Sequence, residues 1–352
     1  MISKLIHAAL EGAPLSPAAL EDAIHAIVQG QVEPAVTAGL LVALAGRPVE
    51  PALLAAAARA LRAHAVSVHP RVRPLVDTCG TGGDGAGTFN ISTAAALVVA
   101  ATGAAVAKHG NRGVSSKVGS ADVLDAAGCG LSLSAGRATE LLDATGFAFL
   151  FAPDFHPAMA RVATVRRALG IRTLFNLLGP LVNPAGAEQQ LLGVYAPELT
   201  EPMARALAEL GSRAAWVVHC DGLDELGLHG VTRGHRLVDG RIEPLVIDPA
   251  ELGLAPATLA ELAGGEDASS AARILRGSLG DLNGAPGRVV ALNAAAALTV
   301  AGRVPGLAEG LEEARAVQAS GEAARVLERY AASSSAVSVT AAGARVPGRG
   351  VR

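Results

Sequence analysis

The stretch from Val76 to Ser120 constrains the fold most tightly. A short apolar run, Leu75-Val76, leads into Gly80, Gly82, Gly83, Gly85 and Gly87. Asn90-Ile91-Ser92-Thr93, residues of capping type, come next, and then an alanine- and leucine-rich helical segment. This is strand, glycine loop, helix start. Glycine lets backbone N–H groups turn toward a ligand with no Cβ in the way. The helix start adds unpaired N–H groups and the positive end of the dipole. The combination suits a phosphate or a diphosphate.

The pattern then repeats. Ala104 to Ala107 reads as a second strand, and Lys108-His109-Gly110-Asn111-Arg112-Gly113 as a second polar loop. Ser115, Ser116 and Ser120 follow, and Ala121 to Ala127 reads as another helix. Two such loops on neighbouring strands face one pocket at the carboxyl edge of a sheet. Lys108 and Arg112 add positive charge, so the expected ligand carries several phosphate charges. A dinucleotide fold wants an acid near the end of the second strand, where this chain has Lys108-His109. A P-loop wants Gly-Lys-Ser/Thr after the glycines, and none follows.

The rest of the chain frames this stretch. Ile2 to about Ala65 reads as helices, with Pro17, Pro34 and Pro51 each at a first helical position. From Leu75 strands and helices alternate, which predicts a sheet with helices packed on it. Phe147 to Ala152, Gln190 to Tyr195, Ala215 to His219, Leu245 to Ile247 and Val289 to Leu292 read as strands. Helices are expected over Met159 to Leu169, Pro202 to Leu210, Ala294 to Val300 and Leu307 to Ala331. The expected fold is α/β: a small helical domain (1–70, with an insertion of roughly 155–187) and a larger domain with a mainly parallel sheet (71–154 and 188–332). The tail 333–352, rich in Ser, Gly, Ala and Arg, reads as mobile. The net charge of −3 argues against a general nucleic-acid binder. No run is apolar and glycine-free enough for a membrane span. Cys79, Cys129 and Cys220 form no CxxC, so a reducing compartment is expected. Asp224-Glu225, just after a strand, is a hard-oxygen pair suited to Mg²⁺, which keeps waters and bridges phosphates.

Gly80-Thr81-Gly82-Gly83-Asp84, Asn90-Ile91-Ser92-Thr93 and Lys108-His109-Gly110-Asn111-Arg112 resemble the signature of the anthranilate phosphoribosyltransferases, enzymes of tryptophan synthesis. The resemblance continues through His156-Pro157-Ala158-Met159, Val165-Arg166-Arg167, the run Gly170 to Pro184 and Asp224-Glu225, and spans about Leu5 to Leu327. It implies transfer of the phosphoribosyl group of 5-phosphoribosyl 1-diphosphate to the amine of anthranilate, in a cytoplasmic homodimer. Phosphoribosyl diphosphate is expected against Gly80, Gly83, Asp84, Thr88, Asn90, Ile91, Ser92 and Thr93 of the first loop. In the second it is expected against Lys108, His109, Gly110, Asn111, Arg112, Gly113, Val114, Ser115, Ser116 and Ser120. The resemblance places anthranilate at Gly80, Asn111 and Arg166, and Mg²⁺, two ions, at Ser92, Asp224 and Glu225. Lys108, Asp224 and Glu225 act electrostatically, with no certain general base. Arg167 points about 100° away from Arg166 on a helix and reads as a surface residue. Val118 and Lys117 are set aside, the first because its side chain cannot donate a hydrogen bond. A pyrimidine nucleoside phosphorylase would share the helical domain and the first loop, but not the Asn111-Arg112 context or the acid pair. The apolar run Leu40 to Leu44 in the helical domain is the expected dimer surface.

Overall fold

The structure, a computed structural model, describes residues 1–113 and 117–335. Val114, Ser115, Ser116 and the tail beyond 335 lie outside the described residues. Four helices come first: α1 (Ile2–Leu10), α2 (Pro17–Val28), α3 (Pro34–Ala45) and α4 (Pro51–Ala63). The last three each begin on the expected proline, whose missing N–H costs nothing in the first turn. Ser16 caps α2 through its hydroxyl.

The sheet follows: β1 (Leu75–Gly80), α5 (Ile91–Ala101), β2 (Ala105–Gly110), α6 (Ser120–Ala126), α7 (Ala135–Thr145) and β3 (Phe147–Phe151). The chain then leaves the sheet through α8 (Ala152–Phe155), α9 (Met159–Leu169) and α10 (Phe175–Leu178). α9 lies against α2 and α3, and α10 against α4. The return runs through β4 (Gln189–Gly193), α11 (Thr200–Glu209), β5 (Ala214–His219), β6 (Thr232–Val238) and β7 (Arg241–Ile247). α12 (Ala268–Ser278), α13 (Ala285–Val300), α14 (Leu307–Ser320) and α15 (Glu322–Ser335) complete the described chain.

Strand order is β3-β2-β1-β4-β5-β6-β7. The first five strands are parallel; β6 pairs antiparallel with β5, and β7 antiparallel with β6, so β6 alone is reversed. After β1 the chain builds outward to β3, then crosses to β4 on the other side of β1. The order therefore reverses between β1 and β4, and the crevice beyond their carboxyl ends is the expected ligand position. One apolar core packs α5, α13 and α15 on the sheet. A second joins the helical segments to the opposite face, where α11 lies between β5 and α4.

Three expectations change. Val289–Leu292 is no strand but part of α13, buried on nearly every side. A short apolar run reads alike in a buried strand and a buried helix. The helix expected over Leu307 to Ala331 breaks at Gly321, whose φ of +73° ends α14. Ser333 to Ser335, taken as the start of the tail, close α15, where Ser334 Oγ accepts from Gly130 N at 2.9 Å. No helix among the described residues is long and apolar enough to cross a membrane.

Candidate active site

The first loop leaves β1 at Gly80 and enters α5 at Asn90. Gly82 and Gly83 have φ of +66° and +79°, a region that side chains other than glycine resist. That turn sends Gly82 N–H onto Asp224 Oδ2 at 2.7 Å. Asp224 N–H in turn donates to Asp84 Oδ2 at 3.2 Å. Ser92 N–H, in the first turn of α5, donates to Glu225 Oε1 at 3.1 Å. Asn90 holds the N-cap position, yet its side chain caps nothing and donates instead to the Val118 carbonyl at 3.4 Å. The far side of the loop is braced by Phe89 N–H on Leu262 O and Gly264 N–H on Gly87 O, both 2.9 Å.

The second loop leaves β2 alongside. Lys108 is buried and donates to the Thr78 carbonyl and to Ser92 Oγ (3.3 Å), so its charge lies beneath the first loop. Asp122 in α6 accepts from Gly113 N–H and Gly119 N–H, each at 2.9 Å, and clamps the two ends of the loop. Arg112 does not present a free charge: Asp122 and Asp125 hold it at 2.7 and 3.1 Å.

These parts enclose one cavity of about 290 Å³. Every described candidate of both loops, together with Ser120, Asp224 and Glu225, stands in its wall. Ile91 is buried in the core, so it serves there through its backbone. Val118, set aside for its side chain, lines the cavity too. Sequence reasoning did not single out Asp122, Asp77 or the 263–266 segment beside the loop. The Gly264-Gly265 pair was the one signal for that segment. Lys117 is exposed and pairs with Glu266 at 2.6 Å.

The acids define the electrostatics. Asp224 and Glu225 are 9% and 8% exposed. Burial, then the nearby Glu225 and Asp84, push Asp224 well above the usual carboxylate range. Burial pushes Glu225 up to about 7, against the pull of Lys108 and Ser92. Carboxylates crowded out of water with too little positive charge suit a hard divalent cation. The described residues hold no preformed group of three or more His, Cys, Asp or Glu arranged around a metal. Asp224, Glu225 and the Ser92 hydroxyl are hard oxygen donors of the kind Mg²⁺ takes when water fills the rest of its shell.

Toward the helical insertion, His109 Nδ1 at the end of β2 donates to the Gly179 carbonyl at 3.2 Å, and His156 Nε2 meets the Val182 carbonyl at 2.9 Å. Burial, then His156, pull His109 down to about 3, so its ring is neutral and Nε2 carries a bare lone pair. Arg166 is not in the cavity wall. It is half-buried on α9, its guanidinium 5.9 Å from the Phe175 ring, with no carboxylate partner among the described residues. Arg167 is exposed.

Residues 72–324 match the model of the glycosyl transferase family a/b domain, and residues 3–65 that of its helical bundle domain. The chain is 50% identical over 309 residues to an anthranilate phosphoribosyltransferase of Laribacter hongkongensis, covering 87% of this chain and 90% of that one. It is 49% identical over 314 residues to that of Thermus thermophilus, covering 88% and 93%. A crystal structure of the Thermus thermophilus enzyme superposes with a TM-score of 0.88 at 47% identity, over 94% of this chain and 98% of that one. The Saccharomyces cerevisiae enzyme in complex with PRPP and Mg gives 0.86 at 29% identity, over 95% and 98%. This chain belongs to the anthranilate phosphoribosyltransferases of the glycosyl transferase family.

Proposed function

We propose that this chain transfers the phosphoribosyl group of 5-phosphoribosyl 1-diphosphate to the amine of anthranilate, releasing diphosphate, in tryptophan synthesis. One observation carries the reading: two phosphate-type loops and a buried, undercompensated acid pair meet in one cavity at the point where strand order reverses. The Saccharomyces cerevisiae relative with PRPP and Mg, and another structure of it with 4-fluoroanthranilate, support it.

The reaction separates charge. The C1–diphosphate bond breaks, leaving positive charge on the ribose and negative charge on the leaving group. The buried Lys108 stands ready for the negative charge, with those loop N–H groups that Asp224, Glu225 and Asp122 do not already hold. Asp224, Glu225 and Ser92 hold Mg²⁺, two ions in our reading, which when bound supplies positive charge to the diphosphate oxygens. Arg166 takes the anthranilate carboxylate in a bidentate pair, and Gly80 and Asn111 border the amine. The amine nitrogen then bonds to C1 and loses its proton, which no strong base needs to remove. Residues 1–70 and 155–187 form the acceptor wall, and 71–154 with 188–332 the phosphate wall. Their approach orients the two reactants.

The test is loss of anthranilate fluorescence with matching diphosphate release. Turnover is expected only with both substrates and Mg²⁺, and is lost in chelator and in the Asp224→Ala/Glu225→Ala double variant. A double variant fully active in chelator sinks the metal role, and no turnover of wild type under any condition sinks the reaction. We also read the protein as a cytoplasmic homodimer joined through the helical domain; Leu40, Leu41 and Ala43 of the expected run are buried in that domain's own core, which leaves Val42, with Leu10 on α1, as the exposed apolar residues. Light scattering at micromolar concentration should give twice the chain mass, and a monomer counts against that surface.

A further inference from the structure

From Val289 to Leu298 the chain reads VVALNAAAAL, and Asn293 is the one side chain there that can form hydrogen bonds. The whole run is buried in α13, which packs on β4 and β5. A buried amide without partners is costly, so its partners say why it stands there. Two of its three bonds go to one residue. Leu226 N–H donates to Asn293 Oδ1 at 3.0 Å, and Asn293 Nδ2 donates to the Leu226 carbonyl at 2.9 Å. The third runs from Nδ2 to the Val289 carbonyl, one turn back on α13, at 2.9 Å.

The amide fits one way round only. Turned over, its NH₂ would face the Leu226 N–H and its oxygen would face two carbonyls. α13 therefore grips both polar groups of the Leu226 backbone. Leu226 is fully buried and directly follows Asp224-Glu225. On the cavity side, Gly82 N–H and Ser92 N–H hold the two carboxylates. On the core side, Asn293 holds the chain that carries them. Two carboxylates crowded out of water repel each other when both are charged. They keep their places only where the backbone behind them cannot yield, and groups that support metal ligands from behind commonly set the affinity of the site.

We propose that Asn293 is a positioning residue of the active site: through Leu226 it fixes the backbone of Asp224 and Glu225, and so sets the affinity for phosphoribosyl diphosphate with Mg²⁺. This role rests on the metal function proposed above for the acid pair.

The test compares three variants of the full chain. Asn293→Leu keeps the size and leaves both Leu226 groups unpaired. Asn293→Ala makes room for a water that satisfies them but ties nothing to α13, and it decides the matter if the Leu variant melts early. Gln318→Leu is the control. Gln318 is another buried amide against α13, and its Nε2 donates to the Ser278 and Gly287 carbonyls, each at 3.1 Å. All three variants should melt below wild type. Calorimetry of phosphoribosyl diphosphate with Mg²⁺ should give a Kd about tenfold weaker in both Asn293 variants. The same Kd should stay within about twofold of wild type in Gln318→Leu, and the KM for anthranilate within about twofold in all three. Asn293 variants that melt early yet bind like wild type overturn the role, as does a Gln318→Leu that weakens binding equally. In either case the proposed function stands. Wild type that fails to bind phosphoribosyl diphosphate with Mg²⁺ overturns that function, and this role with it.

Discussion

Asp77 lies inside β1, three residues before Gly80, and is fully buried. It accepts from Asn183 Nδ2 at 2.8 Å and from His109 N–H at 3.3 Å, so one carboxylate ties β1, β2 and the helical insertion together. Burial, partly offset by Lys108, raises it to about 6. The folded value is above the unfolded one, so its contribution to stability is full below about pH 3.8 and lost as pH rises through about 6. The unfolding free energy of wild type minus that of Asp77→Asn should therefore fall by on the order of 3 kcal/mol between pH 4 and 7. Urea unfolding across that range measures it, and parallel curves would count against a buried, titrating Asp77. At this scale the sequence showed the residues that line the cavity, because glycines and polar loops are rare between apolar runs. Asp77 and Asp122 went unread, because a lone acid next to a strand or in a first helical turn has many ordinary uses. Only the fold shows whom each holds.

Gly80 and Gly193 are paired at the carboxyl ends of β1 and β4. A Cβ on Gly80 would lie 2.4 Å from Asp224 Oδ2, and one on Gly193 1.5 Å from the Asp224 carbonyl oxygen. The turn after β5 thus rests directly on two bare strand ends. Gly193→Ala should cost about 1–3 kcal/mol of stability and, by shifting Asp224, raise the Mg²⁺ concentration needed for half-maximal rate at least about tenfold. A merely structural loss would lower the melting temperature and leave that requirement unchanged. Elements were legible where backbone chemistry marks them. The prolines at Pro17, Pro34 and Pro51 fixed three helix starts, and the glycine loops fixed two strand ends. α13 was misread at Val289–Leu292 because a helix buried all round has no polar face to show a period. β6 was not read from the sequence; its buried positions, Thr232, Gly234 and Leu237, do not keep a period of two.

The two walls of the cleft come from different parts of the chain. The wall we assign to phosphate is carried by the ends of β1, β2 and β5, and Arg166 by a helix packed on α2 and α3. The general plan was readable in the change from helical to alternating patterning near Leu75, and in the return to helix after β3. The closeness of the walls was not, since it depends on contacts such as His109 to Gly179, 70 residues apart in sequence. The central claim is that each wall holds one substrate. Its most direct test is a pair of steady-state titrations on Arg166→Ala, each varying one substrate with the other saturating. The KM for anthranilate should rise about ten- to a hundredfold, the worth of a charge-assisted pair, while that for phosphoribosyl diphosphate stays within about twofold. An Arg166→Ala enzyme weakened equally toward both substrates would contradict it.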